Sequence, residues 1–226
     1  MPNTEPTPHR PQEARSARTR KRIIAATIEC LLQLGYAATS TPEICRRAGL
    51  SRGALLHHFP SKVELVTTAI THLARKRLAE LRRDALRLPQ ENTEEELPDA
   101  LFELIWRAFS GPLFHGALEL WVAARNDPEL HAALFPAERK QAKALYELWR
   151  ILPPQVVPRH GTARDHFQDL LALTLHLLRG MALQRVLRRD DSHRLHLFTI
   201  WKAIIQRELA TIGELEALGE ARPRTT

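Results

Sequence analysis

The chain runs to 226 residues, 44% of them hydrophobic and 26% charged, enough for one large domain or two small ones around real cores. Its formal net charge of +7 makes an anionic partner, nucleic acid or a membrane surface, the first to weigh. The 2 cysteines exclude a disulfide framework and a Cys-based zinc site, and a reducing cytoplasm is the expected compartment.

The charge is concentrated at one end. Residues 1–62 carry ten Lys/Arg against four Asp/Glu, whereas residues 63–226 carry 23 against 22. Residues 1–17 are rich in Pro, Thr, Glu and Arg with no apolar core, so they read as a disordered basic arm rather than a secretory signal or an anchor. Arg10, Arg15, Arg18, Arg20, Lys21 and Arg22 form either a solvated tail or an arm that touches phosphates or the minor groove. The greasiest stretch, Leu170 to Leu178, is broken by Thr174 and His176 and falls far short of the roughly 20 apolar residues needed to span a bilayer.

No strand-like alternation of useful length and no internal repeat occurs, and the periodicity predicts an all-α fold of about nine helices. The first helix is expected from about Thr19 to Leu34, where Ile24, Ile28, Leu31 and Ile23, Thr27, Leu34 recur three and four apart and Gly35 stands to end it. The second opens at Thr41 with Pro42 and Glu43 in its first turn and closes at Ala48-Gly49. Ser51 caps a short third helix, Arg52 to His58, which Phe59-Pro60 must stop. Ser61 and Glu64 form a capping box for a fourth helix reaching about Leu88. Beyond Pro89 and the polar run Gln90 to Glu96, helices are expected over Pro98 to Phe109, Pro112 to Arg125, Pro128 to Ile151 and Thr162 to Arg189, with a last one after Asp191-Ser192.

The segment 41–60 places two short helices about a Gly-containing turn, the arrangement that puts the second helix into a DNA major groove. Ile44, Ala48, Leu50 and Leu55 can pack on the first helix, which turns Arg46, Arg47, Ser51, Arg52, Ala54, His57 and Lys62 outward. Arg52 can donate to a guanine edge or a phosphate, and Ala54 can touch a thymine methyl. Thr39, Ser40, Thr41, His57, His58 and Lys62 suit phosphate oxygens, and Gly53 permits a close backbone approach. Taken with Arg46 and Ser51, these are the expected DNA-binding residues. A bland helical hairpin is the alternative.

Residues 18–70, "RIIAATIECLLQLGYAATSTPEICRRAGLSRGALLHHFPSKVELV" at their centre, resemble the N-terminal DNA-binding domain of the tetracycline-repressor (TetR) family. The resemblance is carried by Gly35-Tyr36, Thr39 to Thr41, Ile44, Ala48-Gly49, Ser51, Gly53, Leu55, Phe59-Pro60, Ser61-Lys62 and Leu65. The segment departs from the family's usual run at Ala54, Leu56 and His58. Residues 112–134 also resemble the regulatory part of many members. The resemblance implies an N-terminal three-helix helix-turn-helix domain, a C-terminal helical ligand-binding and dimerisation domain over 71–226, dimerisation through the last two helices, and release of DNA when a small effector binds.

The last two helices are apolar on more than one side, through Phe167, Leu170, Leu171, Leu175, Leu178, Met181 and Leu195, Phe198, Trp201, Ile204, Ile205, Ile212, which calls for a second burial surface. A C2 homodimer would supply it and present two recognition helices to the half-sites of a pseudo-palindrome. A purely intramolecular core is the alternative. Aromatic residues of the central helices suit an effector pocket, and core packing explains them equally well. The expected effector contacts are Phe102, Trp106, Phe109, Phe114, Trp121, Trp149, His176 and Arg179, for a hydrophobic compound with one polar or acidic end.

His193 and His196 have a metal-compatible spacing without a third ligand nearby, and no phosphate loop, HExxH or GxSxG motif occurs. No catalytic residue, metal or cofactor is therefore expected. The leading expectation is a cytoplasmic dimeric repressor of operator DNA. An activator of the same fold and a non-specific DNA-binding protein are the alternatives.

Overall fold

The computed structural model describes residues 9–91, 93, 96–149, 161–187 and 192–220. Among the described residues there are nine helices and no strand: α1 (His9–Ala38), α2 (Thr41–Ala48), α3 (Arg52–His58), α4 (Lys62–Glu91), α5 (Leu97–Phe109), α6 (Pro112–Ala124), α7 (Pro128–Trp149), α8 (Gly161–Arg185) and α9 (Ser192–Glu220). None of these is long and apolar enough to cross a membrane. The all-α expectation holds.

One expectation needs correcting. Of the arm taken as disordered, residues 9–17 belong to α1, while residues 1–8 lie outside the described residues. Pro11 sits in the first turn, where a missing N–H costs nothing, and no Gly or further Pro interrupts the chain before Gly35. At Gly35 the helix breaks, with φ 76 and ψ 174, a conformation that a side chain would resist. A Cβ there would also stand 2.5 Å from Glu119 Oε2 of α6.

The short helices owe their ends to their caps. Ser40 Oγ accepts from Glu43 N–H at the start of α2, and Ser51 Oγ accepts from Ala54 N–H at the start of α3. Gly49 closes α2 in the left-handed region at φ 62 and ψ 47, its N–H directed to the Arg46 carbonyl, and Leu50 N–H reaches the Cys45 carbonyl.

By its internal contacts the chain divides into two compact units, Met1–Ala79 with Pro112–Ala142, and Glu80–Gly111 with Lys143–Thr226. The first contains two cores. Ile23, Ala26, Cys30, Ile44, Cys45, Ala48, Leu55, Phe59 and Leu65 bury one another where α1, α2, α3 and α4 meet. Leu31, Val66, Ala69, Ile70, Leu120, Ala124, Leu130 and Leu134 join α1 and α4 to α6 and α7. Each buried Leu or Ile contributes about 1.5–3 kcal/mol by leaving water, which outweighs the weak intrinsic helicity of segments as short as α2 and α3. Both cysteines are free and buried, and burial pushes the Cys30 thiol up from its ordinary value, so it is an apolar filler.

In the second unit Phe102 of α5 stacks on Phe198 of α9 at 3.6 Å between centroids, and Trp201 Nε1 donates to Thr174 Oγ1 of α8 at 3.2 Å. Lys202 pairs with Asp99 at 2.7 Å, and His166 meets Glu208 at 2.9 Å. Leu171, Leu175, Leu178 and Met181 of α8 are buried.

Candidate nucleic-acid interface

The first core decides which side of α3 is free. Leu55 and Phe59 are buried, so Arg52, Gly53, Leu56 and His57 are turned to solvent, with Ala54 and His58 half-buried beside them. The two histidine rings meet edge to face at 5.4 Å. Ser40 and Ser51 are exposed, and each uses its oxygen as the acceptor of a helix cap. Each hydroxyl therefore keeps its own hydrogen to donate to an incoming anion. Thr41 is half-buried at the mouth of α2.

Lys62 is also half-buried. Its Nζ donates to the Tyr36 carbonyl at 3.4 Å and lies 4.5 Å from the centre of the Tyr36 ring, and burial pushes its pKa down. A stem held against an aromatic face still leaves ammonium hydrogens for a phosphate.

Arginines split into two groups. Arg46 is exposed but forms a two-bonded pair with Glu43 at 2.7 and 2.8 Å, while Arg47 is largely buried and binds Glu43, Gln33 and Glu29. Arg46 and then Arg47, through their hydrogen bonds, hold the Glu43 carboxyl down at about 2. Arg47 is thus a bracing residue and does not face outward as expected.

Thr39 is corrected as a phosphate contact. It is fully buried, and its hydroxyl donates to the Gly35 carbonyl at 2.6 Å. Its position just before the α2 cap made it look available, but the turn that follows Gly35 folds it inward.

Sequence reasoning missed the task of two basic residues of α1. Arg20 donates to the His58 carbonyl at 3.1 Å and lies 4.2 Å over Phe59, and Arg22 donates to the Ala48 carbonyl. These are the last residues of α3 and α2. Guanidinium groups there satisfy orphan carbonyls and meet the negative end of each helix dipole. The one available signal was that both helices end in carbonyls needing partners. Arg15, Arg18 and Lys21 remain exposed along α1.

The expected effector residues fall into both units. Phe102, Trp106 and Phe109 are buried in the second, where Arg179 lies 5.5 Å from the Phe109 ring and Arg185 6.0 Å from that of Trp106. Phe114 and Trp121 meet edge to face at 6.0 Å in the first. His176 is corrected as an inward-facing group: it is exposed on α8, its Nδ1 2.7 Å from the Ala172 carbonyl of its own helix. The side chain of Trp149 lies outside the described residues.

Residues 23–69 match the family model described as bacterial regulatory proteins, tetR family. The chain is similar to the HTH-type transcriptional regulator CymR of Pseudomonas putida, with 30% identity over 188 residues that cover 80% of this chain and 86% of that one. It is similar to the HTH-type transcriptional regulator BetI of Stenotrophomonas maltophilia R551-3, with 27% identity over 184 residues covering 78% and 88%. Its fold is similar to that of a solved transcriptional regulator from Pseudomonas aeruginosa PAO1, at a TM-score of 0.60 and 23% identity over 88% of this chain and 96% of that one.

Proposed function

The chain belongs to the tetR family of bacterial regulatory proteins and is a DNA-binding transcription regulator, and from that premise we propose that it is a repressor that holds a pseudo-palindromic operator as a homodimer and lets go when a small molecule binds. The observation that carries the reading is the solvent face of α3, where Arg52, Gly53 and His57 stand free of the core, with serine caps at the starts of both α2 and α3. Arg52 suits a guanine edge, while Ser40, Thr41, Ser51, His57, His58 and Lys62 suit phosphates. In this reading residues 18–70 are the DNA-binding domain, and residues 71–226 serve the effector and the dimer, in the cytoplasm.

The homodimer rests on α8 and α9. Asp169, Leu173, His176, Gly180 and Leu183 are exposed in steps of four and three along α8, Leu187 is exposed in the turn just after it, and Leu195, Ile200 and Ile204 are exposed on α9. Leu187 is 90% exposed, and open space surrounds Gly180, so a partner helix can approach closely. A monomeric mass in solution at micromolar concentration overturns the dimer. The effector is hydrophobic with an acidic end, in keeping with Arg179 and Arg185 beside the rings of Phe109 and Trp106. Release from DNA by cations alone overturns that preference.

The operator reading is tested by fluorescence anisotropy with the duplex upstream of the protein's own gene against a scrambled duplex across a salt series. Preference for the first at physiological salt is expected. Equal binding that collapses with salt points to the non-specific alternative, and a transcription readout with and without the protein fixes the sign of regulation.

A further inference from the structure

The turn that leads into α2 is held from behind by a residue far away in sequence. At Gly35 the helical ladder of α1 is interrupted, and the next amide, Tyr36 N–H, donates to Glu119 Oε2 of α6. The carboxylate lies flat against the glycine: a Cβ there would be 2.5 Å from one of its oxygens and 3.0 Å from the other. The turn is fastened at three further points. Thr39 hydroxyl donates to the Gly35 carbonyl, Thr39 N–H to the Tyr36 carbonyl at 3.2 Å, and Lys62 Nζ to that same carbonyl. Ser40 and Thr41 come directly after. The helix that carries Glu119 is itself anchored, with Leu120 fully buried and Gly116 buried where an added Cβ would stand 3.9 Å from Ile70 and 4.0 Å from Leu32.

We propose that Glu119 is a positioning residue for operator binding: its carboxylate fixes the Gly35–Tyr36 turn, and through it the placement of Ser40, Thr41 and Lys62 against phosphates. The proposal rests on the operator reading above. It assigns a DNA-related task to a residue outside the segment 23–69 that carries the family match. It also makes α6, which bears Phe114 and Trp121 on either side of Glu119 in sequence, a part of the chain whose displacement would be felt at the phosphate-facing turn. A contact of this kind works in both directions, so operator binding must in turn favour the closed turn.

The sign of the effect separates positioning from plain electrostatics. Removing a negative charge from a DNA-binding protein ordinarily tightens binding. Removing a brace loosens it. The full-length protein with Glu119→Ala is compared with the wild type and with Glu119→Gln, whose amide oxygen can still accept from Tyr36 N–H. The readouts are operator anisotropy across a salt series, thermal melting, solution mass, and hydrogen exchange at the Tyr36 amide.

In Glu119→Ala the Tyr36 amide is expected to exchange faster. Operator affinity falls by up to about tenfold, the worth of one hydrogen bond to a charged group, while melting drops by no more than a few degrees, the solution mass is kept and the salt slope does not steepen. Glu119→Gln recovers most of the affinity. An unchanged or tighter Glu119→Ala complex overturns the proposal, and so does a Tyr36 amide whose exchange ignores the substitution. If the wild type itself shows no operator preference, the operator reading and this proposal fall together, and that result is told apart because the wild type fails as well as the variant.

Discussion

Helices α2 and α3 and helices α8 and α9 leave opposite kinds of surplus. In α2 and α3 the apolar residues Ile44, Cys45, Ala48 and Leu55 are all consumed by the core, and what remains on the recognition face is mostly polar, with Leu56 the one large apolar side chain among Arg52 and His57. In α8 and α9 the core takes Leu171, Leu175, Leu178 and Met181, yet Leu173, Leu183, Leu195, Ile200 and Ile204 are still exposed. Unspent donors ask for an anionic partner and unspent leucines ask for an apolar one. The difference teaches that this chain leaves two unlike faces, a donor-rich one suited to DNA and an apolar one that the proposed second copy would cover.

The strongest way to break that comparison is to spoil the apolar face. Leu183→Asp with Ile204→Asp should cost about 2 kcal/mol or more of association per site, the range of an interface hot spot, and leave a monomer at micromolar concentration by sedimentation. Helical content should be kept, since both side chains are about half exposed already. Operator affinity should collapse more than hundredfold, because a monomer reaches only one half-site. A double variant that stays dimeric would place the interface elsewhere.

Next in size is the polar face. Arg52→Ala should lose about 1–3 kcal/mol on the operator and relax preference at one base pair. Lys62→Ala should weaken all duplexes alike and lower the salt slope by about one. If the two variants exchange these signatures in competition anisotropy, the assignment of base contact and phosphate contact is reversed.

Much of the first surplus was legible in the sequence; of the second, its existence and the α9 residues Leu195 and Ile204 were, but the exposed leucines of α8 were not. Caps such as Ser40, Ser51 and Gly49 act within a few residues of themselves, and a helix as short as α3 has one buried side, so naming Leu55 as core turns Arg52 and His57 outward. Between Leu170 and Leu183 apolar residues occupy most positions of α8, and periodicity then cannot say which of Leu171 and Leu173 faces the core. Burial chose Leu171, Leu175 and Leu178, so the exposed stripe contains Leu173 and Leu183, neither of which stood out beforehand. The buried Thr39, the carbonyl-binding Arg20 and Arg22, and Glu119 escaped for a further reason: their partners lie elsewhere in the chain, and no local pattern connects residue 119 to residue 36.

A smaller effect sharpens the contrast at one position. Gly53 has no positive φ, and a Cβ added there would meet nothing within 4 Å, unlike Gly35. The fold does not need this glycine. Gly53→Ala should therefore raise thermal stability by about 0.5 kcal/mol through helix propensity while weakening operator binding, because the methyl group projects where the duplex must come close. A variant improved in both respects would remove Gly53 from the interface.

The smallest effect concerns the acid that restrains two arginines beside the recognition face. The Glu43 carboxyl stands at about 2 in the folded chain, held first by the Arg46 hydrogen bond and then by that of Arg47, against an ordinary value of 4.5. A carboxyl lowered on folding contributes stability that is complete above the ordinary value and is lost as pH falls from 4.5 toward 2. Melting curves of Glu43→Gln should accordingly show a shallower decline over that window than the wild type. The pair is a surface one, so the change is expected to be slight. At neutral pH the same substitution releases Arg46 and loosens Arg47, which should raise affinity for any duplex and steepen its salt dependence by up to about one for each arginine that reaches a phosphate. If affinity instead falls for the operator alone, the Glu43 brace serves to hold α2 in register, and Arg46 belongs with Arg47 as part of the scaffold.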